Sequence, residues 1–225
     1  MSGPRRFGDP YAGVPGRRLF VGVPLPDDAV VSVRQVVEDV QGAGLPAGTR
    51  DVRWVRLDGL HLTLRFLGPT PDALVEPTAD VVRTVAATVV GPIDVELGGA
   101  GAFPAVGRPR ALWIGISDGA EALGALAAAV EEALVGIGWP PVDRPFRAHL
   151  TLARADGIAS GTLVAGRLVA AMMDRRIHTT IDRIGLFESI TGGGPARYVP
   201  VTLATMGPTR TDTVSVYHQT TPDPP

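Results

Sequence analysis

The word His-Leu-Thr-Leu occurs twice in the chain, at His61 to Leu64 and at His149 to Leu152. In an extended strand successive side chains point to opposite faces. His61 and Thr63 therefore share one face while Leu62 and Leu64 anchor the other, and His149 and Thr151 repeat the arrangement over Leu150 and Leu152. If the two strands lie side by side, two imidazoles can flank one reacting group, one taking a proton and the other giving one near neutral pH. The two hydroxyls can donate hydrogen bonds to oxygens on which negative charge grows. This division of labour suits in-line displacement at phosphorus, above all the opening of a strained cyclic phosphate whose leaving group is a ribose oxygen.

The bare H-x-T pattern is not what singles these positions out. His178 and His218 also have a threonine two residues on, in HTT and HQT, but neither is followed by alternating leucines. His178 reads as a solvent-facing strand residue and His218 as part of a proline-rich tail. Other chemistries find less support. The chain has no cysteine, which excludes thiolate zinc sites, disulfides and a cysteine nucleophile. Neither word contains a carboxylate to complete a metal site, so no metal and no other cofactor is expected. A G-x-S-x-G nucleophile elbow and a G-K-[ST] phosphate loop are both absent. All 21 basic residues are arginine and the formal net charge is -2. Arginine richness follows from GC-rich codon usage, and the balanced charge argues against a protein that coats nucleic acid. A nucleic-acid partner would be gripped at something small, such as an end.

The elements that must hold the two words can be traced along the chain. RLFVGVPL reads as a strand closed by prolines, and Asp27 and Asp28 then open a helix whose Val30, Val33, Val37 and Val40 keep helical spacing up to Gly42. VRWVRL and LHLTLRFLG read as strands divided by Asp58 and Gly59. A helix is expected from Glu76 to Val90, because Pro77 suits a first turn. IDVELGG and ALWIGIS are strands around the loop GAGAFPAVGRPR. GAEALGALAAAVEEALVGIG is an Ala-rich helix ending at glycine. FRAHLTLAR is a strand, TLVAGRLVAAMMDR a helix, and HTTIDRIGLFES with RYVPVTLATM a final strand pair. Strands in adjacent pairs with helices between them indicate an α+β fold with antiparallel pairing, economically arranged as two similar lobes. Residues 1–16 and 208–225 read as loose Gly/Pro-rich and polar tails around a single bilobal domain at 17–207. No apolar run approaches a membrane span and the N-terminus lacks a secretory h-region, so the expected compartment is the cytoplasm.

These blocks, RLFVGVPLP, RWVRLDGLHLTLRFLG, GAFPAVGRPRALWIGI, FRAHLTLAR and LFES followed by a Gly-rich turn and YVPV, resemble in their order the 2H phosphoesterase superfamily, specifically the bacterial RNA 2',3'-cyclic phosphodiesterases historically called 2'-5' RNA ligases. The resemblance covers Arg18 to Met206. It implies two antiparallel sheets with flanking helices, related by pseudo-twofold symmetry around a central cleft. It implies metal-independent hydrolysis of a terminal RNA 2',3'-cyclic phosphate to a 2'-phosphate. His61 then falls at the position of the proton donor, His149 at that of the proton acceptor, and Thr63 and Thr151 at the phosphate-binding positions. The HLTLAR ending favours Arg154 as a further substrate contact, although strict alternation puts it opposite His149 unless the strand bulges, while alternation puts Arg65 on the His61 face. A small cyclic nucleotide, a 2'-5' linked oligonucleotide, or end binding and ligation without hydrolysis are the alternative readings, and a monomer without membrane contact is expected.

Overall fold

A computed structural model describes residues 16–42, 51–192 and 194–207. The expected N- and C-terminal tails, 1–16 and 208–225, lie outside the described residues, Gly16 apart. In chain order the elements are β1 (Arg17–Pro24), α1 (Asp27–Gly42), β2 (Val52–Trp54), a short 3-10 turn (Leu57–Gly59), β3 (His61–Thr70), α2 (Asp72–Thr88), β4 (Ile93–Phe103), β5 (Ala111–Asp118), α3 (Ala120–Gly136), β6 (His149–Ala155), α4 (Ile158–Ala171), β7 (Arg176–Ile181), β8 (Arg183–Ile190) and β9 (Arg197–Thr205). The strand ladders are all antiparallel, as the alternation of strand pairs and helices requires.

Where two sheets were expected, the strands form one sheet with the order β7-β4-β5-β6-β3-β1-β8-β9, and β2 adds to β6 off this path. The two halves meet between β3 and β6, and that seam is a single residue pair, Leu62 with Leu150. A second difference explains the curl of the sheet. HTTIDRIGLFES is not one strand: β7 and β8 are separated by Asp182 alone, yet β7 is an end strand and β8 lies next to the opposite end. One linking residue can span this path only if the sheet curves its ends toward each other.

The helices pack on one side. Buried Val33, Val36, Val37 and Val40 of α1, Val82 and Val85 of α2, Leu123, Leu126 and Val130 of α3, and Val164 and Leu168 of α4 join one core with Leu62, Leu64, Leu150 and Leu152. The leucines of both words are thus the apolar anchors that their spacing predicted. Helix α2 begins at Asp72, earlier than Pro77 led us to expect, with the proline inside it. The carbonyl that loses its helical partner is that of Ala73, which is exposed and can turn to water. Helix α4 likewise starts early, directly after the extended Gly157.

Candidate active site

Both histidines open their strands, and the seam between the strands arranges them. Antiparallel pairing through Leu62 and Leu150 sets His61 across from Thr151 and Thr63 across from His149. All four side chains are partly buried and lie on the face opposite the leucine core. Each imidazole is held in the same manner. His61 Nδ1 is 2.8 Å from the carbonyl of Gly59, and His149 Nδ1 is 2.7 Å from the carbonyl of Arg147. A carbonyl only accepts, so each Nδ1 carries the proton and donates it. In the neutral ring the lone pair is then on Nε2, the nitrogen left for chemistry.

Aromatic rings wall the two imidazoles. His61 stacks on Phe20 at 4.5 Å between ring centroids and meets Tyr198 edge-on at 4.6 Å. His149 meets Phe103 edge-on at 4.9 Å, with Trp113 beyond it. This enclosure has an electrostatic effect. Burial holds the pKa of His61 below the ordinary imidazole value; the Gly59 hydrogen bond opposes the shift and the charge of His149 adds to it. Burial also lowers His149, against its hydrogen bond to Arg147, and the guanidinium charges of Arg147 and Arg154 lower it further. The Tyr198 phenol is raised by burial and keeps its proton, with Arg154 close enough to act against that shift.

These couplings locate Arg154. Beyond each word the strand slips register against its neighbour: between Leu112 and Trp113 of β5, Leu152 of β6 is the unpaired extra residue. The slip inverts the alternation, so Ala153 is buried and Arg154 is exposed on the histidine face. The same slip in β3 falls between Val21 and Gly22 of β1 and leaves out Leu64. It sends Arg65 the other way. Arg65 is 7% exposed, pairs through Nε with Glu131 of α3 at 3.1 Å, and donates from Nη2 to the Pro140 carbonyl at 2.6 Å. The structure thus brings His61, His149, Thr63, Thr151 and Arg154 to one face and puts Arg65 on the helix side, contrary to simple alternation. Tyr198, Phe20, Phe103 and Arg147 were not singled out from sequence, although RLFVG, GAFPAV, FRAH and YVPV contain them. Among the described residues no group of three or more His, Asp or Glu side chains gathers as a metal ion would require. No described helix is long and apolar enough to cross a membrane.

An α+β fold with a curled antiparallel sheet and a pair of strand-borne histidines on one face of it defines a class to which known proteins can be compared. The profile of the 2'-5' RNA ligase superfamily matches residues 25–193. An RNA 2',3'-cyclic phosphodiesterase of Archaeoglobus fulgidus is 34% identical over 137 residues, 61% of this chain and 72% of that protein. One from Aeropyrum pernix is 32% identical over 160 residues, 70% and 86% respectively. Among solved structures, TT0787 of Thermus thermophilus superposes with a TM-score of 0.67 at 23% identity, covering 84% of this chain and 97% of that one. E. coli LigT complexed with 3'-AMP does so with a TM-score of 0.63 at 21% identity, covering 84% and 98%, and at such identity the likeness is one of fold. The chain belongs to the 2'-5' RNA ligase superfamily, the 2H phosphoesterases, and is an enzyme of the phosphodiesterase class.

Proposed function

We propose that the enzyme hydrolyses the 2',3'-cyclic phosphate at an RNA end to a 2'-phosphate, without a metal ion. The observation that carries this reading is the seam itself: two His/Thr pairs set antiparallel about Leu62 and Leu150, each imidazole anchored through Nδ1 with Nε2 free. Two curated relatives at 34% and 32% identity are named RNA 2',3'-cyclic phosphodiesterase, which supports the substrate class. The matching burial sequence along His61 to Phe66 and His149 to Arg154 supports a pseudo-twofold relation of the two halves.

In the reaction, Nε2 of His149 takes a proton from water as the water oxygen attacks phosphorus. The P–O3' bond breaks on the opposite side, and O3' receives the proton that protonated His61 carries on Nε2. The Thr63 and Thr151 hydroxyls donate to the non-bridging oxygens, and Arg154 offsets the charge that accumulates there. Burial lowers the pKa of both imidazoles, and at His149 the guanidinium charges of Arg147 and Arg154 add to it, a direction that suits the base. Tyr198, holding its proton, adds a further donor at the His61 end.

The test is turnover of a 2',3'-cyclic-ended oligonucleotide by purified protein, with the position of the phosphate in the product determined by 31P NMR. A 2'-phosphate is expected, undiminished by EDTA. His61→Ala and His149→Ala each lower kcat by about 10²- to 10⁴-fold, the range of positioned acid–base catalysis. A 3'-phosphate product, or chelator-sensitive activity that survives both substitutions, contradicts the reading.

A further inference from the structure

The slip that turns Arg65 inward turns the next residue outward. Phe66 occupies in β3 the place that Arg154 occupies in β6, five residues after the histidine, and its ring is 46% exposed. A large apolar ring left open on the working face of a sheet is an unexpected place for a strand aromatic, because such rings are ordinarily core. Its surroundings make it more specific. Phe66 is the register partner of Phe20, the ring on which His61 stacks, so the two rings start from directly opposed positions of neighbouring strands. The exposed Arg18 places its guanidinium over the Phe66 ring, 5.5 Å from the centroid. On its other side Phe66 borders a groove of about 990 Å³ that runs between the β3 edge, α3 (Gly124, Glu131) and the segment carrying Pro140 and Phe146, so the ring stands where the histidine face meets this groove.

Direction follows from the strand pairing. Strand β3 runs from His61 toward Phe66 while β6 runs from His149 toward Arg154, antiparallel to it. Phe66, and Phe146 just before β6, therefore lie at the end of the seam where Thr63 faces His149, and Arg154 with Tyr198 lies at the other end. Counted from Leu62 at the seam, where the phosphate is proposed to bind, Phe66 is four residues along β3, roughly 13 Å less what the slip removes. A base stacked there is placed past the nucleotide that carries the cyclic phosphate, on its neighbour.

We infer that Phe66, with Arg18 beside it, is a stacking platform for a base of the RNA strand upstream of the cyclic phosphate. The inference rests on the proposed reaction. With Arg18 over one face of the ring, the other face is left for a base, and the guanidinium can reach the adjoining phosphate, which is how single strands are held without sequence preference. The histidine pair alone would treat a mononucleotide and an RNA end alike. Phe66 makes the enzyme prefer the polymer.

The experiment compares kcat/KM for a 2',3'-cyclic mononucleotide with that for a tetranucleotide bearing the same end. Wild-type protein favours the tetranucleotide, and Phe66→Ala lowers that preference by about 5- to 100-fold, as removal of one stacking ring does. Phe66→Trp retains it. Affinity of the 2'-phosphate-ended tetranucleotide, followed by fluorescence anisotropy, repeats the comparison without turnover, and thermal melts confirm that each variant is folded. A wild-type preference that Phe66→Ala leaves intact, or no wild-type preference at all, overturns the platform. Failure to turn over either substrate, with tetranucleotide binding still weakened by Phe66→Ala, overturns the proposed reaction and leaves the platform standing.

Discussion

At the scale of the residue, the site works by setting the protonation of two imidazoles. The proposed base must be neutral and the proposed acid protonated in the free enzyme that first meets substrate. Burial lowers both pKa values. The acid limb of kcat/KM, where the base becomes protonated, is therefore displaced below the ordinary imidazole value, and so is the alkaline limb, where the acid loses its proton. The bell lies on the acid side of pH 6.5, and because the two rings interact its limbs belong to the pair. Arg154→Met removes one of the charges that oppose protonation of His149, so the acid limb moves to higher pH while kcat falls. A pH profile of the variant checks this, and an acid limb that stays in place would mean that Arg154 acts on the substrate alone. Much of this was legible in sequence: the phase of His61, Thr63, His149 and Thr151 against their leucines needs only alternation. The carbonyls of Gly59 and Arg147 were not, because a main-chain acceptor leaves no trace in residue type.

At the scale of the element, the decisive feature is the slip of register after each word. It is invisible in the letters, since neither Leu64-Arg65 nor Leu152-Ala153 contains the glycine or proline that commonly marks a bulge. Alternation read through it puts Arg65 outward and Arg154 inward, and the structure has the reverse. The inward arginine then becomes a structural tie. Arg65 links β3 to α3 through Glu131 and to the Pro140 carbonyl, while Glu131 also accepts the Val142 backbone N–H at 2.7 Å. The tie thus fastens the segment that leads into β6 and His149. At 7% and 22% exposure the pair is largely desolvated. Removing one member is costly because the other charge is left without its partner. Glu131→Ala is expected to destabilise by about 3–5 kcal/mol, a fall in Tm of roughly 6–20 °C for a chain of this size. The double substitution Arg65→Met with Glu131→Leu costs markedly less. Thermal melts of the three proteins decide the matter, and a double variant as unstable as Glu131→Ala would show that packing, and not the stranded charge, carries the cost.

At the scale of the whole molecule, the question is whether two halves that repeat a word also fold as two units. The sequence invites that view, because each word has its own strands and helices, and nothing local reveals that β7 and β8 must reach opposite ends of one curled sheet. The core gives the opposite expectation. Leu186 of β8 and Leu112 of β5 are both 0% exposed and belong to one continuous apolar cluster that passes beneath Leu62 and Leu150. Trp139, after α3, donates to Thr78 of α2 at 3.1 Å, tying helices that cover different strands. Halves that share their apolar burial cannot lose it separately, so unfolding in urea is expected to be a single transition with coincident far-UV CD and tryptophan fluorescence curves. Leu186→Ala sharpens the test. It removes buried volume in one half and costs about 2–5 kcal/mol, while Trp113 of β5 and Trp54 of β2, which pairs with β6, report from the other and Trp139 from between α2 and α3. Both probes shift to lower denaturant by the same amount if the sheet unfolds as one body. A fluorescence midpoint that stays in place while the CD curve divides would show two lobes that fold independently, and a cleft held together by little more than the seam at Leu62 and Leu150.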